Sequence, residues 1–241
     1  MYRTALRRAV RTADAIITPS RHTAEDLIRR TRLTADRVHV VPLAASLPNL
    51  EGDPEEALGR LKVRRPYILS VGTLEPRKNL VRLVRAFRRL AARGAPHQLV
   101  LAGPLGWQPQ RLLREVAEGA PGEVVLVGQV LPAELDALYR AADAFVYPSL
   151  YEGFGIPVLE AMSRALPCVV STSSSLPEVA GEAALPVDPL SEAGLADAIE
   201  RVTTDADLAG RLRSAGPARA ARFSWDETAR RTLEVYKQVS S

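Results

Sequence analysis

The fold is decided by residues 67–102, which read YILSVGTLEPRKNLVRLVRAFRRLAARGAPHQLVLA. A continuous apolar run at Tyr67–Val71 is followed by a helical pattern at Leu80–Arg93 and by a second apolar run at Gln98–Ala102. Continuous aliphatic runs are typical of strands that are covered on both faces, and the segment between them is long enough for a crossover helix. The stretch therefore predicts a β-α-β unit with parallel strands.

The same alternation continues on both sides of this unit. Further strands are predicted at residues 15–18, 38–41, 124–127, 144–147 and 168–171, and further crossover helices at 110–118, 133–141 and 157–164. Beyond them, residues 192–203, 208–221 and 225–239 have helical patterns with no strand between them. We therefore predict the α/β fold class, with a Rossmann-like parallel sheet and helices on both faces.

Pattern and composition divide the chain into four segments. We predict residues 1–45 as the remnant of an N-terminal domain, 46–65 as a linker rich in turn-forming residues, 66–222 as the Rossmann-like domain, and 223–241 as a terminal helix. Residues 1–45 hold two predicted strands and one helix, which cannot cover both faces of a sheet, so we expect them to be the tail of a larger domain. The alternative is that their strands extend the main sheet.

Composition excludes several classes of protein. With 241 residues, 46% hydrophobic and 25% charged, the chain is neither disordered nor collagenous nor a coiled coil. We expect a soluble, cytoplasmic protein, because no apolar run is long enough to span a membrane and no signal peptide is recognisable. The single cysteine, Cys168, cannot form an internal disulfide and is predicted to be a small buried side chain.

The net charge of +4 is carried entirely by residues 1–30, which hold seven arginines and three acidic residues. Nucleic-acid binding needs a broad cationic surface, often with aromatic side chains between the charges, and only Tyr2 is aromatic here. We therefore predict a solvated helix face and no nucleic-acid partner. For the Arg-rich start, residues 1–11, the alternative is peripheral contact with an anionic membrane.

The first candidate site is at residues 70–80, where a strand ends and a helix begins. Ligands of open α/β sheets bind at the carboxyl ends of strands, and Gly72 allows a close approach to the backbone. Arg77 and Lys78 oppose the helix dipole, a conflict that a bound phosphate would resolve. The alternative is two solvated surface cations.

The second candidate site is at residues 148–162, where a turn with two glycines separates a strand from a helix that begins at Pro157. Glu152 and Glu160 flank this helix start. Carboxylates accept hydrogen bonds from vicinal hydroxyls, and free backbone N–H groups bind phosphate, so the pattern suits a ligand with a sugar and a diphosphate. The alternative for Glu160 is a simple favourable charge at a helix N-terminus.

Together the two stretches resemble the donor-binding C-terminal half of the retaining GT-B glycosyltransferases of the "glycosyl transferases group 1" family. The resemblance extends to residues 13–20, 38–42 and 176–181, and its most specific part is the motif from Glu152 to Glu160. It implies that the N-terminal acceptor domain is truncated here and that the terminal helix is the one that crosses back to that domain in the family.

The resemblance also implies a role for each site residue. Arg77 and Lys78 would neutralise the diphosphate of a nucleotide-sugar, and Glu160 would hold the ribose. Glu152 would address the donor sugar, and with Arg77 and Lys78 it forms the expected catalytic set. The remaining expected substrate-binding residues are Gly72, Thr73, Gly128, Gly153, Phe154, Gly155, Val158 and Leu159. Many relatives have an arginine in the place of Thr73, so diphosphate binding here would depend on Arg77 and Lys78.

The implied reaction is retaining transfer of a hexose, such as mannose, from a nucleoside diphosphate sugar to a hydroxyl on a glycan or a lipid-linked acceptor, in polysaccharide biosynthesis. The resemblance implies neither a metal nor a cofactor, and a cytoplasmic location that includes the inner face of the membrane. The alternative is a non-catalytic nucleotide-sugar-binding module, or a subunit that needs a separate chain carrying the acceptor domain. An oxidoreductase is disfavoured because no G-x-G-x-x-G follows a strand.

Overall fold

The computed structural model describes residues 8–31, 33–47, 50, 52–119 and 122–240. The strands are β1 (Ile16–Thr18), β2 (Val38–Val40), β3 (Tyr67–Val71), β4 (Gln98–Ala102), β5 (Val124–Gly128), β6 (Ala144–Tyr147), β7 (Cys168–Ser171) and β8 (Leu185–Val187). We number the α-helices α1 (Arg21–Thr31), α2 (Pro54–Leu61), α3 (Leu80–Ala92), α4 (Gln110–Ala117), α5 (Pro132–Ala141), α6 (Ile156–Ser163), α7 (Leu176–Ala180), α8 (Glu192–Thr204), α9 (Ala206–Ala220) and α10 (Trp225–Val239). A helical segment at residues 8–12 precedes β1.

The main sheet has six parallel strands in the order β5-β4-β3-β6-β7-β8. Consecutive side chains of each strand point to opposite faces and enter two separate cores. On one face Leu69 and Phe145 pack with residues of α5 and α6, including Leu138 and Met162. On the other face Ile68 and its neighbours pack with residues of α3 and α8. The predicted α/β fold with helices on both faces is therefore confirmed.

The N-terminal strands form a separate sheet. β1 and β2 pair in parallel, with Ile16 opposite Val38, and neither strand joins the main sheet. The alternative in which these strands extend the main sheet is therefore wrong. Among the residues that the structure describes, the N-terminal segment contacts the main domain through side chains and loops instead.

Two elements of the structure were not predicted from the sequence. The predicted linker, residues 46–65, contains the helix α2, and its role as a linker stays a prediction. Asp53 accepts a hydrogen bond from the N–H of Glu55 (2.9 Å), and Pro54 occupies the first turn, so these two turn-forming residues act here as helix-start signals. The strand β8 was missed because it is short and contains Pro186. Proline is tolerated there because β8 lies at the edge of the sheet.

Cys168 opens β7 and is fully buried, as predicted. Within the described ranges, no helix combines the length and the apolar character that crossing a bilayer requires.

Candidate functional site

The two candidate motifs meet at the point where the strand order reverses. β3 lies between β4 and β6, so the loop after β3 and the loop after β6 both leave the carboxyl edge of the sheet there. The N–H of Leu150 donates to the carbonyl of Arg77 (2.9 Å), and the buried amide of Asn79 donates to the carbonyl of Pro148 (3.1 Å). The fold thus joins two segments that are about 75 positions apart in the sequence.

An ion cluster occupies this junction. The ammonium of Lys78 lies 2.8 Å from Oε1 of Glu152, and the guanidinium of Arg77 lies 2.5 Å from its Oε2. Arg77 also contacts the carboxylate of Glu75 (2.7 Å) and donates to the carbonyl of Tyr151 (2.8 Å). The side chains of Lys78 and Glu152 are almost fully buried, whereas that of Arg77 is 36% exposed. One cluster therefore contains three residues that were predicted from the sequence, Arg77, Lys78 and Glu152. Its solvent-exposed member is Arg77.

The ionised form of Glu152 is favoured in this cluster. Burial by itself raises the pKa of a carboxyl group, but the charges and hydrogen bonds of Lys78 and Arg77 outweigh it and hold the pKa of Glu152 below its usual value. Glu152 is therefore a carboxylate at neutral pH. It can accept hydrogen bonds and orient cations, and it is poorly suited to donate a proton.

Lys78 depends on Gly72 and Tyr147 for its position. Its Nζ donates to the hydroxyl of Tyr147 (2.6 Å) and lies 4.8 Å from the centre of that ring. Gly72 has φ +141°, and a Cβ built on it would lie 3.2 Å from Cε of Lys78. The close approach expected at Gly72 is thus made by the lysine side chain itself. Tyr147 was recognised only as the end of a strand.

Three glycines, Gly72, Gly103 and Gly128, lie side by side at the carboxyl edge of the sheet, where the neighbouring strands β3, β4 and β5 end. The N–H of Gly103 donates to the carbonyl of Gly128 (2.7 Å), and a Cβ on Gly103 would lie 2.2 Å from the carbonyl oxygen of Gly72. Beside them is a cavity of about 270 Å³, lined in part by Gly72, Thr73, Gly103, Pro104, Gln129 and Val130. Gly103 was not predicted, although it follows β4 directly, as Gly72 follows β3.

The glycine loop before α6 presents free backbone donors. Among the residues that the structure describes, no acceptor meets the N–H groups of Gly153, Phe154 and Gly155. Ser175 donates its hydroxyl to the carbonyls of Glu152 (3.0 Å) and Phe154 (2.8 Å) and so holds the loop in shape. Free consecutive N–H groups at a helix start suit an anion. Ser175 could not be recognised from the sequence, because nothing in its neighbourhood distinguishes it from other serines.

Glu160 lies on α6, and its hydrogen-bond partners are different from those of the ion cluster. Its Oε1 accepts the N–H of Leu47 (3.2 Å), and its Oε2 accepts the hydroxyl of Tyr139 (3.1 Å). Val158 and Leu159 are fully buried in the core, and the N–H of Val158 already donates to the carbonyl of Gly155 (3.0 Å). Their expected part in substrate binding stays a prediction, and their side chains contribute packing.

The first turn of α1 lies against the same glycine loop. Thr23 donates its hydroxyl to the carbonyl of Gly153 (3.1 Å), and Tyr151 donates to the carboxylate of Asp26 (3.2 Å). Glu178, on α7, accepts hydrogen bonds from the N–H groups of Arg21 (2.9 Å) and His22 (3.3 Å) and thereby caps the N-terminus of α1. Glu178 lies in residues 176–181, which are part of the family resemblance, but no role was predicted for it.

Within the described residues, no group of three or more His, Cys, Asp or Glu side chains is arranged to hold a metal ion. The cations of the site are Arg77 and Lys78, and its fixed donors are the N–H groups of residues 153–155.

The fold and the site define a doubly wound α/β domain with an anion-suited site at the switch point of its sheet. The chain belongs to the family described as "Glycosyl transferases group 1", whose sequence profile matches residues 55–219. A second profile, "Glycosyltransferase Family 4", matches residues 1–47. The family resemblance stated from the motifs is therefore confirmed.

A similar sequence agrees with this membership, and two solved structures share the fold. The O-antigen chain mannosyltransferase B of Escherichia coli is 36% identical over 238 residues, which cover 96% of this chain and 62% of the relative. A glycosyltransferase from Rickettsia africae superposes with a TM-score of 0.85 at 18% identity, over 98% of this chain and 67% of the other. Anabaena Alr3699/HepE in complex with UDP-glucose gives a TM-score of 0.82 at 19% identity, over 99% and 66%. The chain thus spans about three fifths of the length of that mannosyltransferase.

Proposed function

We propose that this chain forms the donor-binding half of a retaining glycosyltransferase that moves a hexose from a nucleoside diphosphate sugar to a hydroxyl acceptor. The observation that carries the proposal is the junction of Arg77 and Lys78 with Glu152, next to the free N–H groups of residues 153–155. Family membership supports it. A mannosyltransferase among the relatives and a UDP-glucose complex among the similar structures favour a nucleotide-sugar as the ligand.

Each part of the donor has a matching partner in this arrangement. The diphosphate would lie between the two cations and the glycine-loop N–H groups, because both favour an anion. The ribose hydroxyls would reach Glu160, and the base would enter the cavity beside Gly103 and Gly128. Because a threonine, Thr73, follows Gly72, the cationic donors to the diphosphate would be Arg77 and Lys78, whose charges Glu75 and Glu152 balance when no ligand is bound. The donor sugar would then lie at Glu152.

The same cations would promote the reaction. Negative charge develops on the leaving β-phosphate as its bond to the sugar breaks, and fixed donors aimed at that charge lower the barrier, each by about 2.7 to 4 kcal/mol in well-characterised cases. Glu152 would orient Arg77 and Lys78 and accept hydrogen bonds from the sugar. Its low pKa disfavours a role as general acid.

The acceptor and location follow from the same proposal. We propose a glycan or a lipid-linked glycan as the acceptor and a cytoplasmic site of action, with the Arg-rich start of the chain, residues 1–11, as the segment that would contact anionic lipid at the inner face of the membrane. An O-antigen mannosyltransferase among the relatives supports a polysaccharide product.

A second candidate is a nucleotide-sugar-binding module or subunit that needs a separate chain for its acceptor. It would use the same donor site at Arg77, Lys78 and Glu152 and would differ only in the absence of turnover by this chain alone. Incubating the chain with the mannose and glucose forms of the nucleotide that binds, with and without mannose oligosaccharides, separates the two candidates. Tight binding without release of nucleoside diphosphate favours the module.

Calorimetric titration of the full chain with UDP, GDP and ADP in EDTA tests donor binding. We expect saturable binding of one nucleotide, weakened about tenfold or more by Arg77→Ala and by Glu160→Ala, because each removes hydrogen bonds to a charged group. Arg211→Ala removes an exposed arginine of α9 and is the matched control. If a chain shown to be folded by circular dichroism binds none of the three nucleotides, the proposal is wrong.

A further inference from the structure

Glu160 is held by two donors that come from outside its own helix. The hydroxyl of Tyr139, on α5, donates to Oε2 at 3.1 Å, and the backbone N–H of Leu47 donates to Oε1 at 3.2 Å. Among the residues that the structure describes, each carboxylate oxygen therefore has one donor. The two donors lie 21 and 113 positions away in the sequence, so neither is part of the local structure of α6.

Leu47 is itself fixed by a buried ion pair. Arg164 donates to the carbonyl of Leu47 (2.9 Å) and pairs with Asp136 (2.8 Å), and the side chains of both partners are about 2% exposed or less. Asp136 lies on α5, the helix that carries Tyr139. Arg164 follows directly after the last residue of α6. The buried pair of Arg164 and Asp136 thus connects the chain at Leu47 with α5 and α6. It fixes the positions of the two donors to Glu160, which are the Leu47 N–H and the Tyr139 hydroxyl.

Tyr139 remains a donor over the whole working range of pH. It is fully buried, and burial together with the charge of Glu160 raises the pKa of its hydroxyl well above the usual value. A carboxylate offers about four acceptor positions, of which the described residues take two. The two that are left equal the number of free hydroxyls, 2′ and 3′, on the ribose of a nucleoside 5′-diphosphate.

We propose that Tyr139 is a positioning residue that orients the carboxylate of Glu160 toward the two hydroxyls of the donor ribose. This inference rests on the proposed function, in which Glu160 binds the ribose. Without the Tyr139 hydroxyl, Glu160 loses one of the two hydrogen bonds that fix the orientation of its carboxylate. The carboxylate can then turn, and hydrogen bonds to the ribose weaken, while the diphosphate contacts of Arg77 and Lys78 are unchanged.

The test compares two ligands on two matched variants. The nucleoside diphosphate that binds among UDP, GDP and ADP, and its 2′,3′-dideoxy form, are titrated calorimetrically into the native chain, Tyr139→Phe and Tyr67→Phe. Tyr67 is also fully buried, and its hydroxyl donates to a backbone carbonyl, that of Leu138 (2.7 Å), so its loss reproduces the general cost of removing a buried hydroxyl. Glu160→Gln serves as the reference for loss of the carboxylate charge.

We expect the native chain to prefer the ribose form about tenfold or more. Tyr139→Phe should reduce this preference at least about threefold and leave the affinity for the dideoxy form unchanged, whereas Tyr67→Phe should leave the preference intact. A purely structural role for Tyr139 would weaken both ligands equally. An unchanged preference in Tyr139→Phe overturns the inference, as does a native chain that binds both forms equally. If neither form binds, the proposed function itself is wrong and the inference falls with it.

Discussion

The ammonium of Lys78 lies 2.8 Å from the carboxylate of Glu152 across the point at which the strand order of the sheet reverses. The other oxygen of the same carboxylate contacts Arg77, and Arg77 also contacts Glu75. Two cations and two carboxylates therefore balance one another before any ligand arrives. The carboxylates offset only part of the cost of burying the charge of Lys78, since burial still holds the pKa of its ammonium group below the usual value.

Replacing Glu152 by glutamine should make the stability of the chain depend less on pH. The pKa of Glu152 is lowered in the folded chain from about 4.5, so its stabilising effect is present above that pH and is lost as the pH falls through the lower, folded pKa. At pH 7 we expect Glu152→Gln to cost about 3 kcal/mol, because it leaves the charge of Lys78 buried without a full partner. Urea unfolding at pH 7 and near pH 3 measures the difference, which should shrink at acid pH.

Glu56→Gln is the control for this comparison. Glu56 pairs with Arg60 at 2.8 Å, but its side chain is 75% exposed, and exposed pairs of this kind contribute little to stability. A destabilisation by Glu152→Gln that is the same at both pH values would show that packing, and not the charge of Glu152, is responsible.

Gly103→Ala should damage the carboxyl edge of the sheet. The added Cβ would lie 2.2 Å from the carbonyl oxygen of Gly72, and the residue has φ +140°, a conformation that alanine rarely adopts. The loops after β3 and β4 must therefore move apart. We expect a lower melting temperature and, where a nucleotide binds, weaker binding, both measured on the same preparation.

Gly210→Ala is the matched control for Gly103→Ala. Gly210 lies inside α9, and a Cβ built on it meets no atom within 4 Å. Alanine at a compatible helical position stabilises a protein by about 0.4 to 1 kcal/mol. A Gly103→Ala chain that melts and binds like the native chain would mean that the two loops have room to separate.

Most of the fold could be predicted because its strands are covered on both faces. Such strands are continuous apolar runs, and β3, β4 and β7 lie where those runs predicted them. The strand β8 could not be found in this way, because an edge strand needs neither a long run nor a full set of backbone donors. The helix α2 was missed because Asp53 and Pro54 serve equally well in a turn and at a helix start.

The candidate site could be predicted only as far as its own motifs extend. Arg77, Lys78 and Glu152 carry charge in segments that follow strands, so the sequence could place them at one edge of the sheet. The residues that hold those groups belong to other parts of the chain. Tyr139 was not singled out in the sequence, and it reaches Glu160 from a different helix. Glu178 touches the first turn of α1 through a contact that spans 157 positions. Contacts of this kind depend on how helices pack, which sequence spacing does not specify.

Cys168 should not react with thiol reagents in the native chain. The residue is fully buried in β7, and burial raises the pKa of its thiol, so little thiolate is present and access is blocked. We expect no labelling by a disulfide-exchange reagent at pH 8 over minutes and one thiol labelled in denaturant. Rapid labelling of the native chain would contradict the packing of this strand.

Glu178→Gln should loosen α1 from the glycine loop without unfolding the main domain. The carboxylate accepts the N–H groups of Arg21 and His22 at the start of α1, and a cap of this kind contributes about 1 kcal/mol. Hydrogen exchange followed by mass spectrometry should therefore show roughly fivefold faster exchange in the first turn of α1. Strands β3 and β4 should exchange as in the native chain. Glu182→Gln changes an exposed carboxylate four positions away and is the control. Unchanged protection of the first turn in Glu178→Gln would mean that the Thr23 and Asp26 contacts alone hold α1 against the site.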